Sequence, residues 1–311
     1  MARYESVLDL IGDTPLVSLA PLSPSPDVAI WAKLEGQNPG GSVKDRVAKR
    51  MVEAAEADGV LRPGATLLEP SSGNTGIGLA IVARVKGYRL KVVLPQNVSP
   101  ERRQLLEAFG ADIVDSPGDE GSNGAIRVAE ELAKEEDVVL LHQYRNPANP
   151  AAHYETTGPE IWADCPEVDV FVAGLGTSGT LMGVGRYLKE RKAGVKIMAV
   201  EPPAGEQIQA LRSLEEGYVP PIFDPDLLDM KSIVRPRESI EWTRRLAADC
   251  GIFAGLSSGA AVAGAVRAAE DLGSGAVVTL LPDGGWKYLS TGAWTEELDV
   301  VVERAQRIIY F

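Results

Sequence analysis

The chain has 311 residues, room for one large or two modest domains, and 45% of them are apolar, enough for a sizeable core. A net charge of −13 argues against adhesion to nucleic acid or to an anionic membrane, and no run of about 18 apolar residues suggests a membrane span. The start, MARYESVLDL, lacks the basic and apolar regions of a secretory leader; two isolated cysteines, Cys165 and Cys250, exclude a disulfide framework or a CxxC metal site and read as free thiols of a reducing cytoplasm.

The first telling stretch is NPGGSVKDR, residues 38–46. Val43, Val47, Met51 and Val52 recur at about one helical turn, so a loop here feeds a helix. Ser42 and Asp45 have the spacing of a capping box. Lys44 then sits in the first turn, against the positive end of the helix dipole, where an ammonium is disfavoured.

Strands and helices alternate from there. ATLLEP (65–70) reads as a strand, SSGNTG as a turn, and IGLAIVARVKG as a helix. LKVVLP (90–95) is a strand; SPERRQLLEAFG is a helix with Ser99 as cap, Pro100 at its first position and Gly110 as its stop. ADIVDS is a strand, GSNGAIRVAEELAKEE a helix and VVLLHQ (138–143) a strand. A second set follows: VDVFVAG (168–174), the turn LGTSGT, a helix through LMGVGRYLKER, and the strand VKIMAVEP. Residues 203–235 are proline-rich and aperiodic, an excursion over the surface. SIEWTRRLAADCG is a helix, IFAG a strand, LSSGAAVAGAVRAAEDLG a turn and helix, and AVVTLLPDGG a strand ending in a turn. This alternation predicts an α/β fold with mainly parallel sheets covered on both faces.

Three turns share a strand, small-residue loop and helix start: SSGNTG (71–76), GLGTSGT (174–180) and GLSSGA (255–260). Such turns let a backbone approach a ligand and offer N–H groups to an anion. GLGTSG matches G-x-G-x-x-G, and Glu201 ends the next strand where a ribose-binding acid would stand, so a nicotinamide-dependent oxidoreductase is one reading. It leaves NPGGSVKDR and SSGNTG without work. A Ser/His hydrolase lacks a G-x-S-x-G elbow and has only His142 and His153 to draw on. A lysine with a lowered pKa is instead suited to condensation with a carbonyl compound, and an aldehyde cofactor bearing a phosphate would use both the lysine and a glycine-rich helix start.

In this order and at these intervals, NPGGSVKDR, EPSSGNTG, GLGTSGT and AGLSSGA resemble the pyridoxal-phosphate enzymes of the tryptophan synthase β fold (fold type II), and among them the cysteine synthases. The likeness runs from GDTPLV (12–17) to GGWKYLSTGAW (284–294). It implies two αβ domains, a small one over 37–145 and a larger one from 1–36 and 146–311, with pyridoxal 5'-phosphate between them. It implies that Lys44 holds the cofactor and exchanges the substrate α-proton, that Asn74 meets the ring hydroxyl, that Gly176, Thr177, Ser178, Gly179 and Thr180 cradle the phosphate, and that Ser257 meets the pyridine nitrogen. Ser71, Ser72, Thr75 and Gln143 would grip the substrate carboxylate.

Arg212, in GEQIQALRSLEEGYVP, stands where the usual O-acetylserine enzymes are uncharged. With GGWKYLSTGAW it makes the chain look closest to actinobacterial O-phosphoserine sulfhydrylases, the forked guanidinium suiting a phosphate leaving group. O-Acetylserine sulfhydrylase and cystathionine β-synthase activities are the alternatives within the fold. The resemblance further implies sulfur from sulfide or a small thiocarboxylated carrier protein, and a cytoplasmic homodimer without bound metal. The tail ELDVVVERAQRIIYF differs enough from the subgroup that a lid role is left open.

Overall fold

The computed structural model describes residues 3–71, 73–135, 137–216 and 218–307. Near the N-terminus lie β1 (Leu16–Ser18) and β2 (Val28–Leu34), then α1 (Lys44–Ala57). A compact alternation follows: β3 (Thr66–Pro70), α2 (Asn74–Lys86), β4 (Arg89–Pro95), α3 (Pro100–Ala108), β5 (Asp112–Ser116), α4 (Gly121–Leu132) and β6 (Val138–Leu140). These four strands form one parallel sheet in the order β5-β4-β3-β6.

The chain then runs through α5 (Ala148–Ala152), a π turn and α6 (Gly158–Asp164) to β7 (Val170–Gly174), α7 (Gly179–Arg191), β8 (Lys196–Glu201) and β9 (Met230–Ile233). It ends with α8 (Pro236–Cys250), α9 (Leu256–Leu272), β10 (Gly275–Leu281) and α10 (Leu298–Arg307). The second sheet has the order β1-β2-β10-β7-β8-β9 and is parallel except at β1.

Both sheets are covered on both faces, which is why their strands read as continuous apolar runs. On β3, Leu67 packs with Met51 and Leu79 of α1 and α2, while its neighbour Leu68 packs with Ala125 and Ala129 of α4. On β7, Val172 faces α8 and α9, and Phe171 faces α6 and α7. Helices α8 and α9 touch so closely that a Cβ on Gly259 would fall 2.0 Å from the Ser239 carbonyl oxygen.

The predicted α/β alternation is present, with four local differences. IFAG (252–255) is not a strand; it makes only a bridge from Ala254 to Gly284. The 203–235 excursion contains β9, too short to show a period. VVLLHQ stops pairing at Leu140 because the chain turns at His142, whose φ is +56°. The capping box also fails to close: Ser42 Oγ accepts from the Lys44 N–H (3.2 Å), but the Asp45 carboxylate turns back to the Gly40 N–H (2.5 Å). The ends of the C-terminal tail beyond residue 307 lie outside the described residues; its described part, α10, packs through Val301 against Ile240 and Leu256.

The NPGGSVKDR loop is anchored by a buried ion cluster. Arg46 clasps Glu35 (2.8 and 2.9 Å) and Glu160 (2.5 and 2.7 Å), and Lys33 reaches Glu160 at 2.9 Å. Asn38 donates to Glu35 (2.9 Å) and accepts the Gly12 N–H (2.9 Å). Burial alone would raise the Glu160 carboxyl, yet Arg46 and Lys33 hold it down at about 2. Removing Arg46 leaves the buried Glu35 carboxylate without a cation and Glu160 with Lys33 alone. Arg46→Met is therefore expected to lower unfolding free energy by about 3–5 kcal/mol in urea melts. Glu160's depressed pKa means its contribution in the wild type is complete above about 4.5 and fades as pH falls toward about 2, which melts at pH 7 and pH 3 would register.

Candidate active site

The carboxyl ends of strands from both sheets converge on Lys44. The loop after β2 is joined to the end of β10 by the Val43 N–H on the Pro282 carbonyl (2.8 Å) and by a bridge from Ser42 to Asp283. The turns after β3 and β7 close in from either side. Between them lie two adjoining cavities that share Lys44, Asn74, Gly176 and Thr177.

Lys44 is partly buried, and its amine lies 3.5 Å from Thr177 Oγ1. Burial lowers its pKa from 10.5 to about 8, and the carboxylate of Asp283 opposes part of that fall. Desolvation, more than the helix dipole considered above, thus favours the neutral amine.

The turn after β7 has the form of an anion cradle. Ser178 takes a left-handed conformation (φ +70°) as it caps α7, and such alternation of backbone hand makes a concavity of N–H groups. The first-turn amides of α7 have no partner within their own helix. Thr177 is held by Asn149 (3.0 Å) and Thr180 by the buried His153 (3.2 Å). Burial keeps that imidazole well below its ordinary pKa, and the Lys44 and Arg46 charges add to the effect, so His153 serves as a neutral partner. A Cβ on Gly179 would collide with Asn149, so the helix start can come this close only with glycine there.

On the other side, Thr75 donates to Gln143 Oε1 (2.6 Å), which leaves the Gln143 NH₂ as a donor toward the cavity. Ser71 Oγ already accepts the N–H of Gly73 (3.3 Å) and of Gly76 (3.1 Å), so its remaining capacity is its own O–H. Ser72 lies outside the described residues. Glu69, fully buried, accepts the N–H groups of His142 (2.7 Å) and Gln143 (3.0 Å); burial lifts its carboxyl to about 8 against the pull of those two bonds. Arg212 is half-buried and lines the cavity with its guanidinium 4.9 Å from the ring centres of both Tyr144 and Tyr218.

Most of the residues singled out in the sequence thus meet here. Ser257 and Ser178 are buried against the cavity with hydroxyl oxygens that have no hydrogen-bond partner. Two orphaned hydroxyls, an anion cradle and a desolvated amine around one cavity fit a phosphorylated aromatic aldehyde with a ring nitrogen. The nicotinamide reading fails on Glu201: the carboxylate is buried, ion-paired to Lys231 (2.6 Å), and engaged by the Leu214 N–H (3.1 Å), so none of it faces a ribose. Sequence reasoning missed Arg102, Tyr144, Asp283 and Lys287, which also border the site or its lining. The last two lie next to or within GGWKYLSTGAW, which drew notice without being given a task.

Residues 7–283 match the family described as pyridoxal-phosphate dependent enzyme. The chain is 44% identical over 288 residues to cysteine synthase B of Escherichia coli (strain K12), covering 92% of this chain and 95% of that one. It is 43% identical over 297 residues to a cysteine synthase of Staphylococcus aureus (strain Mu50 / ATCC 700699), covering 92% and 96%. Among solved structures, an O-ureido-L-serine synthase superposes with a TM-score of 0.90 at 41% identity, covering 95% and 97%. A cysteine synthase (OASS) from Entamoeba histolytica gives 0.90 at 34%, covering 98% and 96%.

The depressed lysine can be measured. In protein stripped of carbonyl ligands, acylation of Lys44 followed by peptide mass spectrometry should rise with pH about a midpoint near 8. Asp283→Asn removes the charge that favours the ammonium, so its midpoint should lie lower still; a midpoint near 10.5 in either protein contradicts the burial argument.

Proposed function

We propose that this chain, which belongs to the pyridoxal-phosphate dependent enzyme family and is of the cysteine synthase type, makes cysteine from O-phosphoserine, with O-acetylserine as a lesser substrate. The observation that carries the choice of substrate is Arg212, a fork of N–H donors packed against two tyrosines on the wall that Lys44 shares. A phosphate leaving group is a dianion that such a fork matches; an acetate ester carries no charge for it to meet.

When bound, pyridoxal phosphate supplies an aldehyde for amines and a conjugated ring that delocalises the electron pair left at the substrate α-carbon. Lys44 would hold the aldehyde and, as a neutral amine, would take the substrate α-proton and later return it. The 176–180 turn and the start of α7 hold the phosphate through N–H and hydroxyl groups, from Gly176 to Thr180. Asn74 meets the ring hydroxyl, and Ser257 offers the ring nitrogen a hydroxyl; without a carboxylate there, ring protonation is not enforced, which suits departure of a β-substituent. Ser71, Thr75 and Gln143, with Ser72, hold the substrate carboxylate. Arg212 would take up the phosphate that leaves Cβ, and sulfide, or the terminal thiocarboxylate of a carrier protein, would supply the sulfur that replaces it; carrier-borne sulfur stays joined to the carrier's acyl group until that bond is hydrolysed.

The same reading treats 37–145 as the smaller unit and 1–36 with 146–311 as the larger, each holding one sheet, in a cytoplasmic homodimer. No described helix is long and apolar enough to cross a membrane.

Two measurements test this. Borohydride added to the yellow protein should fix the cofactor on Lys44, located by peptide mass spectrometry; label elsewhere, or none, removes the cofactor assignment. Arg212→Ala should cut kcat/KM on O-phosphoserine by about 10- to 100-fold, the worth of a hydrogen bond to a charged group, and on O-acetylserine by less than about threefold. Equal losses on the two esters would refute the substrate assignment.

A further inference from the structure

Lys287 is almost wholly buried, and it spends its three N–H donors on three oxygens: the carbonyls of Gly40 (2.8 Å) and Gly41 (3.2 Å) and Oδ1 of Asn74 (2.8 Å). The two glycines belong to the loop that carries Lys44, and Asn74 opens α2 beyond β3. On its other side Asn74 gives an N–H to Asp283 Oδ2 (2.7 Å), the oxygen that also takes the Tyr288 hydroxyl. Arg102 lies 5.1 Å from the centre of the Tyr288 ring, on the same wall.

An ammonium can only donate and a carboxylate can only accept. Between the two, a carboxamide has one acceptable orientation. The flipped amide would set its NH₂ against the ammonium and its oxygen against the carboxylate, two repulsions in a buried place. One N–H of Nδ2 is used by Asp283, and the second remains. Asn74 borders both cavities.

We propose that Lys287 and Asp283 lock the Asn74 amide so that its second N–H is presented to the ring hydroxyl of the cofactor, which makes Lys287 a positioning residue of the reaction. The inference rests on the assignment of Asn74 to that hydroxyl made above. A hydrogen bond donated to the ring oxygen stabilises its ionised form, the one conjugated with the protonated imine nitrogen and yellow; without that bond the neutral hydroxyl, absorbing in the near ultraviolet, gains population. Lys287 also ties the Lys44 loop to Asn74, so a single ammonium sets the position of the amine relative to the amide.

The test compares loaded wild type, Lys287→Met and Lys287→Arg at one pH. In Lys287→Met the near-ultraviolet band should grow at the expense of the yellow band. The Kd for pyridoxal phosphate, read by fluorescence quenching after the cofactor is removed, should rise about tenfold, the equivalent of one charge-assisted hydrogen bond. Lys287→Arg, which restores a donor-only cation, should recover more than half of the band ratio. A purely structural role would lower stability without moving that ratio. An unchanged ratio with a Kd within twofold of wild type overturns the proposal, as does Lys287→Arg performing no better than Lys287→Met. Should Lys287→Met fail to fold, Lys287→Gln keeps a hydrogen-bonding side chain while losing the donor-only character; it should move the ratio in the same direction, and an unmoved ratio overturns the proposal equally. A wild type carrying no cofactor on Lys44 defeats the assignment beneath this inference and the inference with it, whereas a loaded wild type with an indifferent Lys287→Met defeats the inference alone.

Discussion

Bringing the pKa of a primary amine down toward physiological pH requires keeping water from its ammonium, and the architecture around Lys44 does so, from 10.5 to about 8, by seating the residue where two sheets meet. Desolvation destabilises the charged form by an amount that grows with enclosure, and no part of either sheet alone encloses it. The enclosure is made by loops from the carboxyl ends of β2, β3, β7 and β10. A loop pinned at so many points is costly to misplace. Arg46, two residues beyond the amine, sits in a cage of Glu35 and Glu160, so the first turn of α1 cannot shift without uncovering buried charge. One helical turn thus carries a cation that the fold satisfies fully beside one that it deliberately leaves short of partners.

The same tension between satisfaction and need recurs on the substrate side. His142 is held at a positive φ, a conformation that costs a non-glycine residue energy. The buried Glu69 carboxyl offsets that cost by accepting two consecutive N–H groups across the turn. The result is that Gln143 leaves the sheet pointing at Thr75 and the cavity, where a continuing strand would have sent it to a face of the sheet. The strand reading of VVLLHQ failed at the residue where the fold departs from regular pairing to build the site.

What could be read from the sequence was local. Turns of small residues between an apolar run and a helix show themselves because glycine and serine are required there, and this revealed the loops at Ser71, Gly174 and Gly255. Strands buried on both faces show themselves as nearly continuous apolar runs, broken once by Lys91 in LKVVLP and once by Asp169 in VDVFVAG. What could not be read depends on partners far apart in the chain. Asp45 looked like half of a capping box because its spacing from Ser42 is right; in the fold its carboxylate finds the Gly40 N–H instead, a choice made by the loop's packing. Lys287 looks like any lysine in a turn, since the oxygens that define it lie more than two hundred residues away. IFAG has strand composition but finds only one bridging neighbour, because β2 and β7 already flank β10.

The charge on the chain sharpens what Arg212 and its neighbours must accomplish. At a net −13 the protein as a whole repels an anionic amino acid carrying a phosphate. Salt screens that repulsion beyond about 8–10 Å, so the far field neither gathers the substrate nor excludes it strongly. Recognition has to be made at contact, by cations set into a wall of low dielectric. Arg102 and Arg212 border one cavity, and each is backed by an aromatic ring. A guanidinium packed against two tyrosine rings loses part of its water and some of its freedom to turn, which strengthens its hydrogen bonds to a bound oxyanion. On the substrate assignment proposed above, discrimination between a phosphate and an uncharged ester would come from the last few ångströms of approach, because the charge of the chain as a whole does not attract the phosphorylated substrate.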